Sequence, residues 1–343
     1  MSQMDEMSDV IEALKLTDAT LRTNLDRVSQ LSPFFENTLI ALTSHMSLES
    51  IRDLVLQFTS GLNDAELTLA YGTFLGTAPG DLTGRLLALR NREMLRIIYR
   101  DLSRFADLEE TTRELSCLAS FCINSALDDC YTQTCRRYGV PRGPDGEPEK
   151  MVVLAMGKLG AFELNLSSDV DLIFFYANQG EVAGSEAASD TARVITHQEF
   201  FLKVARQTIA ILDNAEKIGS VFRVDMRLRP YGDSGPLVLH RAAMEKYYVE
   251  QGRDWERYAF IKARAIAGDI GAGEDFLTWL SPFIYRRHLD YGAVQSLREM
   301  KGLINKQVEL KDLNDDLKLG PGGIREVEFV AQMHQLIWGG QHS

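Results

Sequence analysis

Over the first 138 residues, apolar side chains return every three or four positions. LSPFFENTLIALTSHM (31–46), ESIRDLVLQFTSGL (49–62) and GRLLALRNREMLRIIYRDLSRF (84–105) all keep that rhythm, which predicts amphipathic helices packed on their apolar stripes. Ser32, ahead of Pro33, and Ser50 are candidate N-caps. The rhythm stops at GVPRGPDGEPEK (139–150), where six of twelve residues are Gly or Pro, a composition that predicts a linker loop. Beyond it the period changes. MVVLAMG (151–157) and VDLIFFY (170–176) are short continuous apolar runs of strand length. ITHQEFFLKVARQTIAILDNAEK (195–217) is helical again, with Phe200, Val204, Thr208 and Ile211 on one side. SVFRVDMRLRP (220–230) alternates, with Phe222, Val224, Met226 and Leu228 on one face and Arg223, Asp225, Arg227 and Arg229 on the other. That pattern predicts a strand with Asp225 in its middle, and PLVLH (236–240) predicts another. From Arg241 onward the period is helical, broken by GPGGIREVEF (320–329). No internal repeat is visible, and only 180–190 is biased enough in composition to stay disordered.

The expected plan is therefore α+β. It comprises a helical region (1–138), a linker (139–150), a small αβ core (151–267) and a helical region (268–343). A chain of 343 residues exceeds one compact core, and 45% hydrophobic with 25% charged residues is the composition of a soluble globular protein. The formal net charge of −12 disfavours nucleic acid as a partner, because phosphate backbones are held by excess Lys and Arg; a local basic pocket stays compatible with it. No apolar run has the length of a membrane span and the N-terminus is acidic rather than signal-like, so a cytoplasmic protein without membrane contact is expected. Cys117, Cys122, Cys130 and Cys135 are separated by four, seven and four residues. Those gaps do not match the short pairs of zinc sites, and uncommitted thiols on a helix fit a reducing compartment. The six histidines have no ligand spacing.

The chemistry concentrates in GKLGAFELNLSSDVDLIFFY (157–176). Asp169 and Asp171 alternate out of the same strand face just before a core run, and two like charges there are costly without a cation between them. If the strand carrying Asp225 is a neighbour, three carboxylates converge. Oxygen donors of that kind suit Mg²⁺, one ion or two, or Mn²⁺ in its place, and serve in-line phosphoryl or nucleotidyl transfer. Asp169 as a turn cap and Asp225 as a partner of flanking arginines are the alternative readings. Gly157 lets backbone N–H groups approach a phosphate, and Lys158 can hold its charge; the pair is not a P-loop, whose full pattern is absent. Ser168, beside Ser167, either caps a turn or bonds phosphate.

A strand, Gly-x, about ten residues, Asp-x-Asp on the next strand and a third Asp on a later one resembles the nucleotidyltransferase superfamily of DNA polymerase β type. More narrowly, GKLGAFELNLSSDVDLIFFY, FRVDMRLRPYGDSGPL, RDWERYAFIKARAIAGD and GPGGIREVEF, in that order, resemble the bifunctional glutamine synthetase adenylyltransferase/adenylyl-removing enzymes, and LRNREMLRIIYRDL extends the likeness into the helical region. Lys158 departs from the Gly or Ser usual in the superfamily, as the narrower family does. The family resembles a tandem of two such domains, one removing AMP from a tyrosine of glutamine synthetase and one attaching it. The Glu-Leu-Asn-x-Ser-Ser-Asp version here (163–169) is similar to the first, and a single copy of the motif in this chain suggests part of a longer protein.

The resemblance implies phosphorolysis: inorganic phosphate attacks tyrosyl-AMP and releases ADP. Asp169, Asp171 and Asp225 are implied as catalytic metal ligands. Arg227 and Arg229 are the first phosphate-binding candidates, with Lys158, Lys262 and Arg264 after them. Glutamine synthetase is the implied protein substrate, the PII signal protein a regulator, and ADP or ATP further ligands. Trp255 and Tyr258 are read as packing residues rather than an adenine platform. Arg325, Glu326 and Glu328 are placed where they could face the site, but are assigned no role, the plainer reading of GPGGIREVEF being a tight glycine loop with a helix beginning at Ile324. Two alternatives stay open: an ATP-dependent adenylyltransferase, which needs the same carboxylates, and a non-catalytic nucleotide-sensing module, which does not.

Overall fold

The computed structural model describes residues 3–182, 194–214, 219–285, 302, 316–318 and 320–339. The candidate disordered stretch therefore falls, from 183 onward, outside the described residues. Two compact units emerge: residues 1–126, 162–169 and 208–224 form the first, and 127–161, 170–207 and 225–343 the second. Among the described residues no helix is long and apolar enough to cross a membrane.

The first unit is helical. Its elements are α1 (Gln3–Ala13), α2 (Ala19–Leu31), α3 (Pro33–Thr43), α4 (Leu48–Leu56), α5 (Asp64–Thr77), α6 (Leu82–Leu102) and the first part of α7 (Leu108–Tyr138). The apolar stripes meet in a core containing Leu25, Val28, Phe35, Leu39, Phe58 and Tyr99, each fully buried. Ser32 caps α3 as its position before Pro33 predicts, its Oγ accepting from the Phe35 N–H at 3.2 Å. The next cap is Ser47, not Ser50: the Ser50 N–H donates to Ser47 Oγ at 3.2 Å. The first-turn donors of a helix need an acceptor just outside it, and Ser47 is the residue that stands there in extended conformation.

Charge is also buried in this unit. Arg96, only 4% exposed, bonds Glu93 at 2.9 Å and Glu114 at 3.2 Å. Arg100, equally buried, bonds the Thr59 carbonyl at 3.0 Å and the Glu110 carboxylate. Helix α7 carries all four cysteines and none forms a disulfide. Burial pushes the Cys122 thiol up to about 12, so it packs as a small protonated apolar group.

The second unit holds a mixed sheet of β1 (Met151–Ala155), β2 (Val170–Tyr176), β5 (Val224–Asp225), β6 (Val238–His240) and β7 (Arg264–Gly268). The order is β5-β2-β1-β7, with β6 also on β2. β1 runs antiparallel to β2, Met151 opposite Tyr176, and antiparallel to β7; β2 and β6 are parallel, Phe174 opposite Val238. β3 (Glu181–Val182) and β4 (Ile195–Thr196) form a separate ribbon. Every residue of β1 is buried and every residue of β2 except Asp171, which is why these strands read as continuous apolar runs rather than alternating ones. Val152, Leu154, Ile173 and Phe175 share a core with Tyr248, Phe276, Leu280 and Phe329. Those four come from α10 (Arg241–Glu250), α12 (Ile270–Ile284) and α13 (Ile324–Trp338), and α11 (Asp254–Phe260) lies between the first two in the chain. Tyr176 stacks on Phe201 of α9 (His197–Leu212), ring centroids 4.7 Å apart.

The alternating stretch 220–230 forms a strand only at Val224–Asp225. Asp225 Oδ1 accepts the Arg227 N–H at 2.8 Å, and the Arg229 N–H turns back to the Met226 carbonyl at 3.3 Å. An aspartate that satisfies the backbone two residues on offers it an alternative to a sheet ladder, so the strand ends where the alternation predicts its middle.

Two outcomes follow from these contacts. Arg96→Met leaves Glu93 and Glu114 buried without their shared cation, and is expected to lower unfolding stability by about 3–5 kcal/mol in denaturant titrations. His240 caps α10 by accepting the Ala243 N–H on Nδ1 at 3.3 Å, and burial lowers its pKa below the ordinary 6.5. The cap therefore contributes fully above that ordinary value and is lost as pH falls through the lower folded one. Relative to the native chain, His240→Asn should gain stability progressively as pH is taken below about 6.5, because asparagine caps in either condition.

Candidate active site

The chain leaves β1 through a tight turn, α8 (Gly157–Gly160). Gly157 has φ +54°, and a Cβ there would fall 3.0 Å from Asp171 Oδ2. At Gly160 a Cβ would lie 1.7 Å from the Lys262 carbonyl oxygen and 2.6 Å from that of Ala155. The turn is thus pressed backbone to backbone against the segment entering β7. Arg264 fastens it there, its guanidinium donating to the Gly160 and Leu159 carbonyls at 3.1 Å each. Arg264, a phosphate-binding candidate in the sequence, is thereby a brace for the turn.

This packing opens a cleft of about 490 Å³ lined by Gly157, Lys158, Asp171, Lys262, Glu328 and Gln332, among others. Lys158 has no carboxylate partner among the described residues, whereas Lys262 Nζ stands 3.3 Å from Glu328 Oε1. Asp171, the second residue of β2 and half-buried, directs its carboxylate at the glycine turn.

The other two aspartates each hold an arginine. In the first unit, Asp169 Oδ1 accepts from Arg223 Nε at 2.5 Å, and Arg223 also donates to the Ser167 carbonyl. Ser168 closes a turn there, its N–H on the Asn165 carbonyl at 3.1 Å. In the second unit, the Arg227 guanidinium grips both carboxylate oxygens of Asp225. Those hydrogen bonds hold the Asp225 carboxyl below its usual range against the opposing effect of burial. Asp225 in turn raises Arg227, and Asp233 and Asp171 add to the effect at longer range. Arg229 is less available: it donates to the Met226 carbonyl at 2.6 Å and to those of Asp233 and Gly235. The alternation places Arg227 and Arg229 on one strand face with Asp225; instead both lie beyond the strand, one on the aspartate and one on the turn.

Among the described residues no three His, Cys, Asp or Glu side chains are grouped as a ready metal cluster. The donor chemistry nevertheless fits a hard cation. Asp171 and Asp225 offer only oxygen, and both bear on the largely exposed guanidinium of Arg227, Asp225 directly and Asp171 at longer range.

The sequence reading placed Arg325 and Glu328 where they could face the site but missed Phe329 and Gln332 beside them. Arg325, Glu328, Phe329 and Gln332 line the cleft from α13 at spacings of three, one and three residues, the separation that puts residues on one helix face. That spacing was the available signal in GPGGIREVEF and the residues after it. Glu326 does something else, accepting the Gly322 N–H at the start of α13. Trp255 and Tyr258, taken as packing residues, also face the cleft, and Trp255 is 37% exposed.

The cleft thus sets the Asp171 carboxylate against the Gly157-Lys158 turn. Residues 23–279 match the family described as glutamate-ammonia ligase adenylyltransferase, and the chain belongs to that family. A second family description, GlnD PII-uridylyltransferase, matches residues 298–342. The chain is 54% identical over 262 residues to the bifunctional glutamine synthetase adenylyltransferase/adenylyl-removing enzyme of Pseudomonas aeruginosa, covering 76% of this chain and 26% of that protein. The protein of the same name from Nitrosococcus oceani is 53% identical, over 75% of this chain and 26% of its own length. That from Hahella chejuensis is 46% identical, over 92% of this chain and 33% of its own length. The chain thus spans about a quarter to a third of these relatives.

Gly160→Ala is expected to destabilise the protein by about 3 kcal/mol or more, since the added methyl meets backbone that cannot rotate away. Denaturant unfolding checks it, and native stability in the variant would show that the close approach at Lys262 does not limit the fold.

Proposed function

We propose that this chain removes AMP from an adenylylated tyrosine of glutamine synthetase by phosphorolysis, on a nucleotidyltransferase core of the DNA polymerase β type. The observation that carries the reading is the cleft in which Asp171 faces the Gly157-Lys158 turn, within the segment matched to the adenylyltransferase family. The direction of reaction rests on a narrower feature, the Glu163-Leu164-Asn165-x-Ser167-Ser168-Asp169 version of the motif, which resembles the removing copy. Attachment of AMP from ATP would use the same carboxylates and is the second reading.

The balance is direct. An oxygen of inorganic phosphate forms a bond to the phosphorus of tyrosyl-AMP, the bond from phosphorus to the tyrosine oxygen breaks, and ADP and tyrosine leave. A phenol ionises near 10, so the departing oxygen needs little protonation and the main demand is neutralisation of gathering phosphate charge. Lys158 supplies a fixed positive charge at the turn, and the backbone of Gly157 admits a phosphate closely. Asp171 and Asp225, joined on the sequence reading by Asp169, are the residues that would hold Mg²⁺. When bound, the ion supplies charge neutralisation on the phosphoryl oxygens. Arg227, whose guanidinium is largely exposed on Asp225, would be the residue to hold the attacking phosphate in two-point contact. The PII signal protein as regulator, and a cytoplasmic location, complete the reading.

The test is incubation of the protein with adenylylated glutamine synthetase, Mg²⁺ and phosphate. ADP release is expected, and Asp171→Asn should reduce it by at least about 10²–10³-fold with the circular dichroism unchanged. Absence of ADP together with AMP incorporation from ATP would replace removal by attachment.

A further inference from the structure

We propose that Gln332 selects the base of the nucleotide, reading the edge of adenine while Trp255 holds the ring face; the assignment rests on the nucleotide reading of the cleft given above. Gln332 sits on the buried stripe of α13, between Phe329 and Leu336, and is only 7% exposed. A primary amide among apolar side chains is costly unless its hydrogen bonds are made. Among the described residues nothing bonds it, and the side it borders is the cleft. A ligand there can take over from water as its hydrogen-bond partner.

The amide offers an acceptor oxygen beside a donor NH₂ in one plane. On the edge that carries N7, adenine presents the complement, an N6 donor beside the N7 acceptor, which glutamine meets with two hydrogen bonds; guanine presents two acceptors there, O6 and N7, and is met only in part. The face of the base has its own surface. Trp255 and Tyr258, three residues apart on α11, both line the cleft, and Tyr258 lies against Phe329 with ring centroids 5.5 Å apart at 30°. An exposed indole beside that pair is a stacking platform indifferent to which base lies on it. The cleft, about 490 Å³, has the volume of a small-molecule site, with Lys158 and Asp171 left for the phosphate end. Face and edge are thus read by different helices.

Equilibrium binding of ADP and of GDP to the whole chain, in Mg²⁺, by titration calorimetry separates the possibilities. The native protein should prefer ADP by about 10- to 100-fold. Gln332→Met should lower ADP affinity by about tenfold or more and leave GDP binding essentially unchanged. Trp255→Leu, at an exposed position, should weaken both nucleotides by a similar factor of about ten. If the methionine variant does not fold, Gln332→Glu keeps the side-chain volume and opposes the ring acceptor, so it too should lose the ADP preference. Unaltered preference in a folded Gln332 variant, or an equal loss of ADP and GDP, overturns the assignment and leaves the nucleotide site standing. Failure of the native chain to bind either nucleotide overturns the site itself and the assignment with it.

Discussion

The contact on which the second unit depends is a backbone one: the turn at Gly160 lies against the carbonyl of Lys262 with no room for a methyl group. That approach fixes where β1 hands over to the turn and where β7 begins. It brings Lys158 and Lys262 to one cleft from positions more than a hundred residues apart in the chain. Arg264 locks the approach from the β7 side, replacing with side-chain donors the partners that the two turn carbonyls would otherwise find in water. A cluster of cations near one carboxylate is ordinarily hard to hold still. Here the backbone that carries the two lysines is fixed by the close approach at Gly160.

In each unit one acid is paired with an exposed cation. Asp169 and Asp225 sit on arginines whose side chains are themselves largely exposed. Exposed ion pairs contribute little to stability, so each arginine can leave its aspartate at small cost. The contrast with the helical unit is instructive. There Arg96 and Arg100 are sealed among glutamates and removal of one partner strands a buried charge. The same two residue types are structural where water is excluded and exchangeable where it is not.

Much of this was legible in the sequence. The helical rhythm up to 138, the apolar runs of β1 and β2, and the glycine at 157 followed from period and composition, because burial on one face or on both leaves a direct imprint on side-chain choice. The stretch 220–230 misled because alternation records only side-chain polarity, whereas the strand was ended by an Asp225 side chain bonding the backbone of Arg227. Ser50 misled for a similar reason: both it and Ser47 satisfy the cap preference, and only the backbone conformation separates them. The α13 wall was only half legible: the local spacing groups Arg325, Glu328, Phe329 and Gln332 on one helix face, but that this face meets Asp171 is set by tertiary packing that a local window does not record.

The remoteness of that wall has a temporal side. Asp171 is made about 160 residues before Gln332, and ribosomes add roughly 5–20 residues each second, so β2 exists for about 8–30 s before α13 is complete. Contacts this distant in sequence close late, since chain entropy opposes them until the intervening segments have settled. A nascent chain can therefore carry its acidic strand and glycine turn while still lacking the helical wall that α13 adds to the cleft. In such a polypeptide the acidic floor of the cleft is in place before its far wall.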